Sequence, residues 1–348
     1  MSLDAVSVGK AIAYLRKKIG YTQRELAERI GVSDKAVSKW ERGIGLPDTA
    51  IIGKIAILLD SDTDSLLAGD IIHQNTDWTG LLILNENECG INSGTIIYDK
   101  PIVYFQLSYF MLVGIRTIRV VCNEEDEQLI RKELDNGEEL GIRLYYYRGI
   151  PVDKFLDSPE NVMIVSGMSL IYGVDQTRFF QKAMLNKERT TILSLPKKRE
   201  SSFARIYYDS DKKIVTSEDG DKLRTQYDYY QIPIIFCPAN MVCTMFKGIE
   251  NLNSNIIWNI GKEELYTVIL DRGFVEIPLN TWNDVMDASL FVKIVQKACG
   301  MQIYCIEEIA WRRGFISHDD FIKLGEKKSN VPYGKYILDI SRASHGEG

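Results

Sequence analysis

The sequence predicts two units of different fold class: an all-α unit of five helices, followed by an α/β unit with a mostly parallel sheet. Apolar residues recur at helical spacing through residues 8–67. From Gly80 onward, apolar strand segments alternate with helical segments. The charge changes between the two parts as well. Residues 7–46 carry nine Lys and Arg against four Asp and Glu, a net charge of +5, so the rest of this −6 chain carries −11.

The composition is that of an ordinary globular protein, with 45% hydrophobic and 26% charged residues among 348. No apolar run approaches the roughly 20 residues of a membrane span, and residues 1–10 lack a signal-peptide pattern. We therefore expect a cytoplasmic protein without a membrane partner. None of the six cysteines forms a CxxC pair, and only three histidines are present. This disfavours a zinc site, so we expect reduced thiols and no cofactor.

The first two helices are predicted from an apolar face and from a capping box. The inner face of the first helix combines four apolar residues at helical spacing, namely Val8, Ile12, Leu15 and Ile19. Gly20 ends this helix. Thr22 is the predicted N-cap of the second helix, since Glu25 stands three residues later and completes a capping box. The second helix then runs to Ile30.

The third helix is predicted to have one apolar and one basic face. Gly31 forms the preceding turn, Ser33 is the N-cap, and Gly43 ends the helix. Its apolar face is Ala36, Val37 and Trp40. The opposite face is polar and basic, with Lys35, Ser38, Lys39 and Arg42 at helical spacing. Pro47 is predicted to open a fourth helix, and Leu66 belongs to a fifth. We assign residues 5–69 to this unit and 70–79 to a linker.

The second and third helices, joined by a tight turn and carrying a basic face, predict a helix-turn-helix. The string TQRELAERIGVSDKAVSKWERG resembles the Cro/C1-type (XRE) family of DNA-binding domains. The resemblance implies a double-stranded DNA operator as partner, a core Trp40 and a buried ion pair between Arg16 and Glu41. It also implies the residues that face DNA, with the last of them near phosphate: Gln23, Ser33, Lys35, Ser38, Lys39 and Arg42. A charged helix face exposed only to solvent would show the same pattern.

The α/β unit, assigned to residues 80–340, opens with the apolar run Leu81–Leu84, which is typical of a buried parallel strand. A polar loop and an amphipathic helix over 102–113 follow. The remaining predicted elements are, in order, a strand at 117–122, a helix at 124–136, strands at 142–147 and 161–165, a helix at 175–186, a strand at 190–195, antiparallel strands or an insertion at 203–236, a long helix at 281–298 and two short helices near 306–313 and 319–326.

Five strings of this unit resemble the short-form glucose-1-phosphate thymidylyltransferases, which are sugar-phosphate nucleotidyltransferases. In chain order the strings are YDKPIVYFQLSYFMLVGIRTIRVVCNEED, ELGIRLYYY, SLIYGVD, RGF and EEIAWRRGFI. The resemblance implies a Rossmann-like α/β nucleotidyltransferase domain. It also implies the chemistry of that family, in which a nucleotide is transferred from a triphosphate to a sugar 1-phosphate with the help of Mg²⁺.

The positions that would carry this chemistry hold unsuitable residues. The family binds the triphosphate with a Gly-rich loop, an Arg and a Lys. Here the loop is shorter, contains Glu86 and Glu88, and has Asn92 at the Lys position. The family holds Mg²⁺ with two aspartates, and Met168 and Pro278 stand at those positions. Neither side chain offers an oxygen to Mg²⁺. The resemblance therefore predicts a degenerate nucleotide and metal site at Asn92, Met168 and Pro278.

We interpret the chain as a DNA-binding transcriptional regulator. Its second unit would be either a sensor of a sugar nucleotide or sugar phosphate, or an oligomerisation domain that pairs helix-turn-helix units in a homodimer or homotetramer. Polar groups lining the cleft would favour a sensor, whereas packed apolar residues would favour oligomerisation. The alternative is an active or weakly active nucleotidyltransferase with an accessory DNA-binding domain.

Overall fold

The computed structural model describes residues 5–19, 21–59, 63–68, 77–84, 88–155, 160–196, 205–208, 214–215, 228–246 and 265–343. The chain divides into two compact units, Met1–Gln74 and Asn75–Gly348, which we call the N-terminal unit and the body. Among the helices formed by these residues, none is both long and apolar enough to cross a membrane.

The five predicted helices of the N-terminal unit are confirmed. They are α1 (Ala5–Ile19), α2 (Gln23–Ile30), α3 (Asp34–Glu41), α4 (Thr49–Leu58) and α5 (Thr63–Ala68). Their apolar faces enclose one core, in which Trp40 is 7% exposed. The backbones of α1 and α3 come very close, because a Cβ atom on Gly9 would lie 1.9 Å from the carbonyl oxygen of Trp40. Only glycine fits at this crossing.

The predicted caps of these helices are present, with one correction. Thr22 and Glu25 form the capping box of α2, and Gly31 ends that helix with φ of 77°. Ser33 accepts a hydrogen bond from the backbone NH of Ala36 as the N-cap of α3. The fourth helix begins two residues after the predicted Pro47, because Asp48 is the N-cap and accepts a hydrogen bond from the NH of Ala50 at 3.0 Å.

The body is built around a sheet whose centre is parallel. In chain order the strands are β1 (Trp78–Ile83), β2 (Ile96–Ile97), β3 (Lys100–Pro101), β4 (Thr117–Val121), β5 (Arg143–Tyr147), β6 (Asn161–Ser166), β7 (Ser169–Tyr172), β8 (Thr190–Pro196), β9 (Arg205–Tyr208), β10 (Ile214–Val215), β11 (Asp228–Pro238), β12 (Leu265–Ile269) and β13 (Val275–Pro278). The order β6-β1-β4-β5 is parallel throughout. β11 joins β6, β8 and β9 in antiparallel pairs, and β7 and β13 form a separate ladder.

This sheet confirms the predicted α/β class and the antiparallel strands expected within residues 203–236. One boundary needs correction. Trp78 and Thr79, which we placed in the linker, are buried residues of β1. They pair with the first residues of β6, so the sheet requires them. Residues 70–76 of the predicted linker lie outside the described residues.

The helices of the body are α6 (Ile102–Leu112), α7 (Glu124–Leu134), α8 (Gln176–Met184), α9 (Ala239–Met245), α10 (Trp282–Cys299), α11 (Ile306–Arg312), α12 (His318–Lys327) and α13 (Pro332–Ala343). The sequence predicted two short helices after α10, but α13 is a third. Its start at Pro332 fits the preference of proline for the first turn of a helix.

Helix α6 differs from its prediction in its surroundings. We expected an amphipathic helix, but residues 102–111 are all buried. The helix lies inside the main core cluster of the body, with Tyr104, Tyr109 and Gln106 among its fully enclosed side chains. A helix without a solvent face cannot be recognised from its hydrophobic period, because its polar side chains are buried beside apolar ones.

Candidate functional site

Helix α3 presents its predicted polar face at the surface of the N-terminal unit. Lys35, Lys39 and Arg42 are exposed, and Ser38 is half-buried. Arg42 also closes the helix end, since its Nε donates to the carbonyl of Ser38 at 3.2 Å. Two lysines and one arginine on an exposed helix face form a surface that attracts polyanions.

An ion pair beneath this face connects α3 to α1 and α2. Arg16 Nε lies 2.5 Å from Glu41 Oε1, and Arg16 Nη2 donates to Glu41 Oε2 at 3.0 Å. The side chains are 8% and 6% exposed, so the predicted buried pair is confirmed. Gln23 Nε2 donates to the same Oε2 at 2.7 Å. The side chain of Gln23 is therefore held by Glu41, which fixes the start of α2 against the end of α3.

The body brings two of its three predicted degenerate positions together. The NH of Gly167 donates to the carbonyl of Ile83 at 3.0 Å, which joins the ends of β1 and β6. Met168 follows directly and is 8% exposed. In the β7–β13 ladder, Ser169 pairs with Pro278, and the NH of Leu279 donates to the carbonyl of Met168 at 2.9 Å. Met168 and Pro278 thus meet beyond the carboxyl ends of the central parallel strands, where α/β folds commonly bind ligands.

Asn92 lies in a different environment. Its Nδ2 donates to Glu125 Oε1 at 3.0 Å, at the start of α7. Its Oδ1 accepts hydrogen bonds from the NH of Gly94 at 3.1 Å and from the hydroxyl of Thr95 at 3.3 Å. The side chain is thus engaged in a turn and a helix contact. Of the two loop acids, Glu88 is exposed, and Glu86 lies outside the described residues.

A carboxyl group lies beside Met168 and Pro278. Glu276, on β13, accepts a hydrogen bond from the Ser169 hydroxyl at 3.0 Å. Burial raises the pKa of Glu276 to about 7, and the hydrogen bond from Ser169 lowers it only partly. Across the described residues, no group of three or more His, Cys, Asp and Glu could hold a metal ion. The described part of the site therefore offers a thioether, a proline and the carboxyl group of Glu276, which is a poor donor set for Mg²⁺.

Side chains of α6, together with Tyr304, fix the backbone around Met168 through hydrogen bonds. Gln106 Nε2 donates to the carbonyl of Gly167 at 2.8 Å. Tyr109 donates its hydroxyl to the carbonyl of Ser169 at 3.2 Å and accepts from the NH of Ile171 at 2.8 Å. The hydroxyl of Tyr304 donates to the carbonyl of Ile171 at 2.6 Å. These contacts fix the backbone of β7 independently of any ligand.

The YDKP string builds a buried ionic cluster that our sequence reasoning did not anticipate. Lys100 is 1% exposed, and its Nζ lies 2.5 Å from Asp99 Oδ1. It also donates to Gln296 Oε1 at 3.1 Å and Gln302 Oε1 at 3.3 Å. Burial lowers the pKa of Lys100, while Asp99 acts in the opposite sense. Gln296 completes the cluster by donating to Asp99 Oδ2 at 3.0 Å, which ties α10 to the segment before α6.

The EEIAWRRGFI string contributes a second buried cluster. Glu307 is 1% exposed and accepts from Lys328 Nζ at 2.7 Å and from the Tyr333 hydroxyl at 2.5 Å. Lys328 also donates to the Tyr104 hydroxyl at 2.8 Å. Burial lowers the pKa of Lys328, but the nearby Glu307 raises it more, so its net pKa lies above the ordinary value. The cluster joins α6, α11, α12 and α13.

The first comparison with known proteins concerns the N-terminal unit. A helix-turn-helix family profile matches residues 12–66, which span α2, the turn and α3. The N-terminal unit is a helix-turn-helix domain of XRE type. The structure of this unit agrees with the match. Helices α2 and α3 are paired, the ion pair of Glu41 lies beneath α3, and the polar face of α3 is exposed.

The second comparison concerns the body. A glucose-1-phosphate thymidylyltransferase of Neisseria meningitidis is 26% identical over 260 residues, covering 70% of this chain and 90% of the relative. One from Mycolicibacterium smegmatis is 26% identical over 262 residues, covering 70% and 89%. A solved structure from Bacillus anthracis, assigned to the same activity, aligns with a TM-score of 0.51 at 13% identity, covering 62% of this chain and 94% of that one. The body is a homologue of the glucose-1-phosphate thymidylyltransferases.

The two buried clusters contain support residues whose roles sequence reasoning did not assign, and the raised pKa of Glu276 was not predicted either. The signal for the clusters was present, because Asp99, Lys100 and Glu307 lie inside the strings that carried the resemblance. The raised pKa of Glu276 had no such signal, since it depends on burial by distant residues.

Proposed function

We propose that this protein is a cytoplasmic DNA-binding transcriptional regulator whose body is a catalytically degenerate nucleotidyltransferase homologue. The proposal rests above all on the exposed basic face of α3, held in place by the ion pair between Arg16 and Glu41. A regulator needs such a face, whereas a nucleotidyltransferase does not. The six residues proposed to contact the DNA duplex are Gln23, Ser33, Lys35, Ser38, Lys39 and Arg42.

Operator binding is tested with the whole chain on double-stranded DNA fragments selected from a random pool at low salt. Replacing Lys35 and Lys39 together with alanine should weaken binding by roughly 1–3 kcal/mol for each base-reading side chain removed. The matched control replaces Lys10 and Lys54, which are exposed on α1 and α4. Equal binding by the wild type and the Lys35 and Lys39 double variant would show that α3 is not the reading helix.

The salt dependence gives a second measure of the same interaction. Removing one side chain that neutralises a phosphate should reduce the slope of log affinity against log salt by about 0.9. Arg42→Ala should change this slope and weaken all sequences alike, because we place Arg42 at phosphate. A weakening confined to one DNA sequence would place Arg42 at a base instead.

The proposed absence of nucleotidyl transfer follows from charge. Pyrophosphate leaves as a polyanion, and catalysis needs Mg²⁺ and cationic groups to stabilise it. Met168 and Pro278 supply no carboxylate, Asn92 is neutral, and Glu88 adds negative charge to the loop. The assay is pyrophosphate release from each common triphosphate with each common sugar 1-phosphate, and we expect no turnover with or without Mg²⁺.

An active or weakly active nucleotidyltransferase is the second candidate, and Glu276 is the observation that favours it. This carboxyl group lies beside Met168 and Pro278 and could accept a metal ion after losing its proton. Steady turnover that EDTA abolishes and that Glu276→Gln removes would establish the second candidate. The homology of the body to thymidylyltransferases supports thymidine triphosphate as the first substrate to test.

For the role of the body in regulation, the burial of Met168 and Leu279 favours oligomerisation over sensing. We propose a homodimer or homotetramer, because one helix-turn-helix reads one half-site. A sugar nucleotide or sugar phosphate remains the effector to test, by calorimetry in EDTA, since any surviving interaction would be independent of Mg²⁺. Binding in the micromolar range that also shifts DNA affinity would assign the sensing role instead.

A further inference from the structure

Helix α10 has apolar residues on two opposite faces. Its inner face, Val285, Ala288 and Val292, is buried in the core of the body. Its outer face carries a row of four apolar side chains at every fourth position, which are Trp282, Met286, Leu290 and Ile294 at 54, 69, 54 and 57% exposure. Residues four apart form a continuous ridge on a helix. We call this row the α10 stripe.

Exposed apolar side chains are concentrated at this stripe. Of the fifteen large apolar side chains exposed within the described residues, five lie between Trp282 and Met301. Ile96 and Tyr98 extend the apolar surface sideways, because the NH of Tyr98 donates to Ser289 Oγ at 3.1 Å. Trp282 is fixed by its indole NH, which donates to the carbonyl of Cys89 at 3.1 Å. An exposed apolar surface of this kind marks a protein contact.

We infer that the α10 stripe is the surface through which two copies of this chain associate. The charges beside the stripe fit a second copy. Asp287 and Lys293 are exposed, and they stand three residues before and after Leu290. Because a helix turns about 100° per residue, they lie about 60° to either side of Leu290, on opposite flanks of the stripe.

A two-fold axis along the stripe makes this arrangement self-complementary. Two ridges of i, i+4 residues pack side by side when the helices cross at about −50°. In that geometry Asp287 of each copy comes beside the partner's Lys293, so one contact yields two opposite-charge pairs. An isologous contact requires such self-complementarity, whereas an unrelated partner would not impose it. The helix is 18 residues long and so extends about 27 Å.

This inference refines the proposed dimer or tetramer by naming its contact surface, and it is tested without DNA. The full chain is examined by sedimentation equilibrium at micromolar concentration, where we expect a dimer or tetramer. Leu290→Glu should raise the dissociation constant at least about 30-fold, because it places a charge at the centre of the contact. The matched control is Leu185→Glu at the end of α8, which is 82% exposed and outside the stripe. Circular dichroism verifies that both variants are folded.

A charge exchange tests the orientation of the two helices. Asp287→Lys and Lys293→Asp should each weaken association about fivefold, because each brings like charges together twice. The double exchange should return the dissociation constant to within about twofold of the wild type. Failure of this rescue, with Leu290→Glu still disruptive, would overturn the proposed two-fold geometry.

Two other results would overturn the interface itself. One is a monomeric wild type at micromolar concentration, and the other is an assembly unchanged by Leu290→Glu. The double alanine variant of Lys35 and Lys39 should assemble like the wild type. A failure of DNA binding is therefore distinguishable from a failure of this interface.

Discussion

Two regions of the body differ in how strongly their polar residues depend on one another. Around Glu307, this buried carboxylate, the half-buried Lys328 and the Tyr333 hydroxyl satisfy each other within 2.5–2.7 Å. Around Met168 and Pro278, the backbone is fixed by hydrogen bonds to Gly167, Ser169 and Leu279, and the side chains take little part. Both regions derive from a fold shared with thymidylyltransferases, but only the first uses its charges for stability.

The difference explains how residues that face a ligand can be replaced in such a fold while its scaffold stays intact. A buried charge whose partner is removed carries its full desolvation penalty. A residue that faces a ligand has no such partner within the protein, so its replacement leaves the fold stable. Substitutions in the clusters around Lys100 and Glu307 are therefore limited by the stability of the fold. At Met168 and Pro278, a replacement only has to fit the space that the neighbouring residues leave.

The largest expected effect comes from breaking the Glu307 cluster. Glu307→Ala leaves the Lys328 ammonium and the Tyr333 hydroxyl without their buried acceptor, and should lower the free energy of unfolding of the body by about 3–5 kcal/mol. Urea denaturation monitored by tryptophan fluorescence measures this change. Glu326→Ala, an exposed acid on α12, is the control and should change stability by less than about 0.5 kcal/mol. Similar values for the two variants would contradict the proposed contrast.

A smaller effect of opposite sign is expected at Glu276. Its folded-state pKa of about 7 lies above the ordinary 4.5, so the folded protein binds more protons between these pH values. The contribution of Glu276 to stability should therefore be fully present below about pH 4.5 and fall as the pH rises to about 7. Glu276→Gln removes this decline, and should stabilise the protein at pH 8 by up to about 3 kcal/mol.

Thermal unfolding of the wild type and Glu276→Gln at pH 5 and pH 8 isolates this group from all others that titrate. The difference in melting temperature between the two proteins should be larger at pH 8. A difference independent of pH would mean that Glu276 stays ionised in the folded protein.

The smallest effect is expected at Met168. Met168→Leu keeps the volume and the apolar character of the side chain, so it should change the free energy of unfolding by less than about 1 kcal/mol. Leu170→Ala, on the adjacent β7 and 1% exposed, should cost about 2–5 kcal/mol through the cavity that it leaves. A cost above 2 kcal/mol for Met168→Leu would show that the thioether itself holds the site together.

Local sequence patterns were sufficient to predict most of the secondary structure and the character of the N-terminal unit. The capping box at Thr22, the N-cap at Ser33 and the alternation of strands with helices each act within a few residues of their own position. For this reason the predicted helices and strands agree with the structure to within a few residues. Such signals do not require knowledge of the rest of the chain.

In the body, which distant residues meet and which surfaces stay exposed depended on the tertiary structure alone. Met168 and Pro278 become neighbours through the pairing of β7 with β13, which are more than a hundred residues apart in the chain. The burial of all sides of α6 and the raised pKa of Glu276 result from enclosure by several elements at once. The exposure of the α10 stripe was likewise decided by the fold, because an apolar row at i, i+4 spacing is equally compatible with burial against another element.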